Sequence, residues 1–178
     1  IYKQLLASDN ATKAGQWAEP ITGQNTFEMA NKKVGILGIG NIGRQVAKRV
    51  QGFDAVVQYY DLYPLEKSVE EKLNVTYLSL EELFKTSDII TCHTPLTKAT
   101  RHLVNSNTLS MMKPSAILIN TSRGPVVDEV ALIEALQQGK ISAAGLDVFE
   151  KEPVDPANPL LKMDNVVATP HMAGTTWD

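Results

Sequence analysis

Short apolar runs of strand character alternate with amphipathic stretches along most of this chain. The runs occupy residues 34–37, 55–59, 89–92, 116–120, 143–146 and 166–168. Helix signals lie between them. Ser79, with Glu82 three residues on, forms a capping box for a helix over 80–86. Asp128 caps a helix over 129–138, with Val130, Ile133, Ala135 and Leu136 on its buried stripe, and Gly139 ends it. Ser106 caps a short helix through Met111 and Met112 that Pro114 stops. Regular alternation of this kind predicts a parallel sheet covered on both faces. At 178 residues the chain has material for one well-buried domain.

The first alternation carries the most specific signal. Gly38-Ile39-Gly40-Asn41-Ile42-Gly43 stands between the run 34–37 and a segment whose Ile42, Val46 and Val50 share one helical face. Asp61 follows 18 residues after Gly43, at the end of the second run. This is the layout of a βαβ unit that binds a dinucleotide. Gly38 permits the tight turn, Gly40 lets backbone N–H groups approach a pyrophosphate, and Gly43 lets the helix pack on the strand. The helix N-terminus adds partial positive charge. Asp61 can accept from a ribose diol and would repel a 2′-phosphate, which favours NAD over NADP. Arg44 points along the helix and supplies no 2′-phosphate partner. The fold expected is α/β, a Rossmann-like doubly wound parallel sheet; a glycine-rich turn of another α/β protein, such as a methyltransferase, is the alternative.

Bulk properties narrow the partners. A net charge of −3 gives no electrostatic reason to expect nucleic acid or an anionic membrane surface. Cys92 is the sole cysteine, in an apolar run, so no internal disulfide is possible; a buried thiol and a cytoplasmic setting are expected. No stretch approaches the ~20 apolar residues of a membrane span, no signal peptide is visible, and no metal site is expected. Two stretches break the rhythm. Residues 1–30 read as a helix end (1–8) followed by an irregular polar segment around 10–24, and Trp17 there is either a core anchor or a partner contact. Residues 150–162 hold Pro153, Pro156 and Pro159 in a long rigid loop.

Three late runs each deliver a reactive group just past their ends. These are Arg123 in Thr121-Ser122-Arg123-Gly124, Asp147 and Glu152 in the segment ending at Pro153, and His171 in Thr169-Pro170-His171 with Gly174 beyond. In a doubly wound sheet such loops share one side with the glycine turn. Reduction of a ketone by hydride transfer needs a proton for the oxygen, and histidine titrates near neutrality. A neighbouring carboxylate favours and orients an imidazolium. An arginine can hold a substrate carboxylate by two parallel hydrogen bonds and stabilise charge on the carbonyl oxygen. Asp147 is placed to accept from a nicotinamide carboxamide. Taken singly, each has a plainer reading: Arg123 in a surface salt bridge, Glu152 as a solvated charge among Glu150, Lys151 and Asp155, His171 as a structural imidazole. His93 follows a buried strand and reads as structural, and His102 gains no support from any motif.

These motifs together resemble the cofactor-binding domain of the D-isomer-specific 2-hydroxyacid dehydrogenases, over residues 1 to 178. The resemblance implies Gly38, Gly40, Asn41, Ile42 and Gly43 at the pyrophosphate, Asp61 at the ribose, and Thr94, Pro95 and Thr100 near the adenosine side. It implies Thr121, Ser122, Arg123, Asp147, His171 and Gly174 along the rest of the NAD site, with Arg123, Glu152 and His171 catalytic. Glu152, directly before Pro153, is the matching glutamate rather than Glu150. It further implies a substrate domain absent from this chain, so that residues 31–178 form the cofactor domain of a longer two-domain protein. The chain alone is then expected to turn over poorly. The substrate class implied is a 2-keto acid/D-2-hydroxy acid pair, of the glyoxylate, hydroxypyruvate, D-lactate or phosphoglycerate type, and the partner is a second copy bound through the region 1–30. A non-enzymatic NAD-sensing corepressor of the same fold is the alternative.

Overall fold

The computed structural model describes residues 1–17 and 26–176. Its centre is a parallel sheet in the order β3-β2-β1-β4-β5-β6-β7. The strands are β1 (Lys33–Leu37), β2 (Val56–Tyr60), β3 (Thr76–Tyr77), β4 (Ile89–Cys92), β5 (Ile117–Asn120), β6 (Ala143–Leu146) and β7 (Val166–Ala168). The helices are α1 (Leu5–Lys13), α2 (Asn41–Gln51), α3 (Lys67–Leu73), α4 (Leu80–Thr86), α5 (Ser106–Met111) and α6 (Glu129–Gln137). The chain runs outward from β1 to β3, returns to β4 on the other side of β1, and continues to β7. The strand order therefore reverses between β1 and β4, where such sheets place ligands, beyond the carboxyl ends of the strands.

Both faces of the sheet are covered, as the unbroken apolar runs require. Alternate residues of one strand enter opposite cores: Leu37, Ile90, Cys92 and Leu118 pack with Phe84, Leu109 and Leu132, while Ile36, Val57, Tyr59 and Ile89 pack with Ala47. Cys92 is fully buried, and burial pushes its thiol up to about 12. Among the described residues no helix is long and apolar enough to cross a membrane, and no group of three or more His, Cys, Asp or Glu could hold a metal ion.

Several local expectations shift. Ser79 and Glu82 form the reciprocal capping box at α4, and Asp128 accepts from Ala131 N–H at the start of α6. Of the expected α6 stripe, Ala135 and Leu136 are buried and Ile133 packs partly buried against the core, but Val130 is exposed and Ala131 and Leu132 are buried instead. The helix thus buries two adjacent columns, 131/135 and 132/136, rather than one. In α2, Gly43 and Ala47 are buried and Val46 and Val50 pack against the core, while Ile42 is exposed. Asn105, not Ser106, caps α5: its side chain accepts from Asn107 N–H and Thr108 N–H. The N-terminal helix spans Leu5–Lys13 instead of 1–8, and it replaces irregular chain at residues 10–13. Of the expected irregular segment, 18–24 lies outside the described residues. α3 and β3 had no sequence signal, since α3 buries a carboxylate, Glu70, against Tyr59. The loop 150–162 ends in a 3-10 turn, Pro159–Lys162.

Candidate active site

The glycine turn stands at the reversal point. Gly38 has φ +92° and lies so close to β4 that a Cβ would meet His93 carbonyl carbon and Thr94 nitrogen at 2.9 Å. A Cβ on Gly43 would lie 2.2 Å from Gly38 O, so α2 can seat itself only with glycine there. A Cβ on Gly40 would meet nothing within 4 Å. That open space lies over the N-terminus of α2, which has no side-chain cap. Uncapped N–H groups beside open space suit an anionic phosphate. Asn41 and the exposed Ile42 open the helix beside it, and Arg44 Nε donates back to Ile39 O at 3.1 Å.

Asp61 leaves the end of β2 and turns its carboxylate to this loop. Oδ2 accepts from Ile39 N–H at 2.9 Å and Oδ1 from Tyr63 N–H at 3.1 Å. A carboxylate has about four acceptor positions, so capacity remains for a ribose diol. On the β4 side, Thr94 Oγ1 is buried with no partner, beside Gly38. Pro95 is exposed. Thr100 is 5% exposed; its hydroxyl donates to Pro95 O at 2.6 Å and accepts from Thr97 N–H at 2.8 Å. It is consumed inside the 94–100 turn and shapes that turn. His93 Nε2 lies 2.9 Å from Thr91 Oγ1, and burial lowers its pKa.

The next strand end presents Arg123. The sequence did not single out Asn120, which builds the turn. It is 1% exposed; its Oδ1 accepts from both Ser122 N–H (3.0 Å) and Ser122 Oγ (2.9 Å), and its Nδ2 donates to Arg123 O at 3.0 Å. An Asn closing a turn two residues ahead is a readable Asx signal. Thr121 and the Arg123 side chain remain exposed, while Ser122 is buried. A Cβ on Gly124 would lie 1.8 Å from Phe149 O, so the arginine turn and the turn after β6 touch backbone to backbone.

The last two loops meet in a carboxylate–imidazole pair. Glu152 Oε2 lies 2.7 Å from His171 Nδ1, and Glu152 Oε1 accepts from Phe149 N–H at 3.0 Å. The hydrogen bond from His171, then that from Phe149, hold the Glu152 carboxyl below the usual range, with the Arg123 charge adding to the effect. Since Nδ1 is occupied, the imidazole has Nε2 for an external partner. His171 itself has φ +53°, a conformation rare outside glycine. Its N–H donates to Asp147 O at 2.8 Å and Thr169 O at 3.1 Å. Asp147, 4% exposed, secures the rest of the turn. Its carboxylate accepts from Thr169 Oγ1 (2.5 Å), Met172 N–H (2.9 Å) and Ala173 N–H (2.8 Å). Burial pushes that carboxyl up, but these hydrogen bonds outweigh it and leave it below its ordinary value. Gly174 follows, exposed with open space around it. A cavity of about 670 Å³, mostly apolar, opens beside the pair and is lined in part by Phe149, Val154, Leu161 and His171. The set can hold an anion, polarise a carbonyl and exchange a proton.

Residues 1–173 match the family described as D-isomer specific 2-hydroxyacid dehydrogenase, NAD binding domain. The chain is 42% identical over 184 residues to a glyoxylate reductase of Thermofilum pendens, covering 99% of this chain and 52% of that protein. It is 46% identical over 179 residues to glyoxylate/hydroxypyruvate reductase B of Shigella boydii, covering 99% and 55%. A crystal structure of D-lactate dehydrogenase with NAD+ from Lactobacillus jensenii superposes with a TM-score of 0.84 at 35% identity, over 98% of this chain and 56% of that one. The chain spans about half the length of the curated relatives it matches.

Proposed function

The chain belongs to the D-isomer-specific 2-hydroxyacid dehydrogenase family as its NAD-binding domain, and on that premise we propose that the protein reduces a small 2-keto acid with NADH, or oxidises the matching D-2-hydroxy acid. The observation that carries this reading is the 2.7 Å bond between Glu152 and His171 Nδ1, on the sheet edge shared with the glycine turn. The names of the relatives favour glyoxylate or hydroxypyruvate as substrate.

In this reading NAD(H) supplies or takes up the hydride. Gly38, Gly40, Asn41, Ile42 and Gly43 hold its pyrophosphate and Asp61 its ribose. Thr94, Pro95 and the turn that Thr100 braces lie toward the adenosine side, and Thr121, Ser122, Gly174 and the Asp147 turn toward the nicotinamide. Arg123 binds the substrate carboxylate and polarises its carbonyl. His171 Nε2 delivers the proton to the carbonyl oxygen, or removes it in the reverse direction. Glu152 keeps the ring oriented through its bond to Nδ1. The exposed Trp17, Leu5 and Leu6 support a homodimer joined through the N-terminal region.

His171→Ala in the full-length protein is expected to abolish keto-acid-dependent NADH oxidation while leaving NADH affinity nearly unchanged. Full turnover in that variant overturns the assignment. NADH binding without turnover of any 2-keto acid by the unaltered protein favours a sensor instead.

A further inference from the structure

Resting on the reading of Glu152 and His171 as the acid–base pair, we propose that His102 is a positioning residue for that pair, acting through Glu150. His102 touches neither Glu152 nor the cavity beside His171. It reaches the loop after β6 from the connection between β4 and α5, 48 residues away in sequence. Its backbone is fixed first: its N–H donates to Pro125 O at 2.8 Å, its carbonyl accepts from Asn105 Nδ2 at 2.9 Å, and its φ is +51°. From that anchor the imidazole Nε2 donates to Glu150 Oε1 at 2.6 Å. The other carboxylate near the ring is Asp128, 4.0 Å from Nδ1.

Glu150 is therefore held at two points. Its side chain is taken by His102, and its N–H donates to Glu129 Oε2 at 3.1 Å. Glu129 is steadied in turn by Asn158 Nδ2, 2.6 Å from its other oxygen. Glu150 stands inside the turn that Glu152 closes by accepting Phe149 N–H. The buried Phe149 and its backbone contact with Gly124 fix the start of the turn, and these tethers hold the residues between it and Glu152, which set where Glu152 Oε2 comes to rest. A displacement of about 1 Å there would break a 2.7 Å bond to His171, and misplacement of that size costs on the order of a hundredfold in rate. His102 thus connects the loops after β4 and β6, and through Pro125 the loop after β5.

The test compares His102→Ala, His102→Gln, Glu150→Ala and Glu152→Gln in the full-length protein. The readouts are kcat and KM for a 2-keto acid at saturating NADH, the Kd for NADH, and the far-downfield proton resonance of His171 Nδ1–H. His102→Ala is expected to lower kcat about tenfold or more and to shift or broaden that resonance, with NADH affinity unchanged. His102→Gln, whose amide N–H can still reach Glu150, is expected to recover both. An unchanged kcat and resonance in His102→Ala, with Glu152→Gln inactive, overturns the proposal, as does failure of His102→Gln to recover either. If His102→Ala does not fold, Glu150→Ala decides, because it removes the oxygen that accepts from His102: losses like those expected for His102→Ala support the proposal, and none overturns it. Full turnover in Glu152→Gln instead overturns the reading on which the proposal rests.

Discussion

At the scale of single residues, groups whose work is set by the few residues around them can be read directly. Gly38, Gly43 and Asp61 act within one βαβ unit, and their spacing announces them. The structure supplies the reasons: a positive φ and a backbone contact for Gly38, a 2.2 Å collision for any side chain at Gly43. The resemblance puts Thr100 near the adenosine side, yet its hydroxyl is spent on Pro95 and Thr97, since a motif does not say which way a side chain turns. His102 went unmarked because its partner lies 48 residues away. Asp61 gives a test at this scale. Removing a carboxylate hydrogen bond costs roughly 1.5–3 kcal/mol. Asp61→Ala should therefore weaken NADH binding at least about tenfold and raise the ratio of NADPH to NADH affinity, measured by fluorescence titration with both. Unchanged discrimination would remove Asp61 from the ribose site.

At the scale of elements, α4 is plain because its capping box and apolar spacing agree, and the β1–α2 pair because its glycines mark the turn between them. α3 was hidden by its own chemistry. Its buried Glu70 looks like a surface charge until Tyr59 Oη and Lys67 Nζ are found 2.7 and 2.6 Å away. The 169–173 turn is likewise unreadable, since its anchor, Asp147, belongs to the loop before it. That anchor predicts a pH response. The Asp147 carboxyl lies below its ordinary value in the fold, so its ionised form contributes stability fully present above about pH 4. The contribution is lost as pH falls through the folded value. Hydrogen exchange at Met172 and Ala173 N–H should accelerate in that window ahead of exchange in β1 and β4. Asp147→Ala should destabilise by about 2 kcal/mol, seen as a lower midpoint in denaturant; an unchanged midpoint would show that the turn stands without it.

For the whole molecule, strand–helix alternation sufficed to foresee a parallel sheet covered on both faces, and the glycine turn with Asp61 pointed to its doubly wound form. Strand order was not written in any run. It emerges from β1 pairing on one side with β2 and on the other with β4. The exposed side chains of Trp17, Leu5 and Leu6 carry the remaining test at this scale. Trp17→Glu is expected to shift the full-length protein from dimer to monomer in sedimentation velocity, and a dimer that persists removes Trp17 from the contact. The sheet order has one last consequence. Asp61, the proposed ribose acid, hangs from β2, on one flank of β1, while Arg123, Glu152 and His171 hang from β5, β6 and β7 on the other. On the proposed reading, coenzyme preference and reaction chemistry are thus inherited on separate halves of one scaffold, and mutation can retune either half while the other keeps its trade.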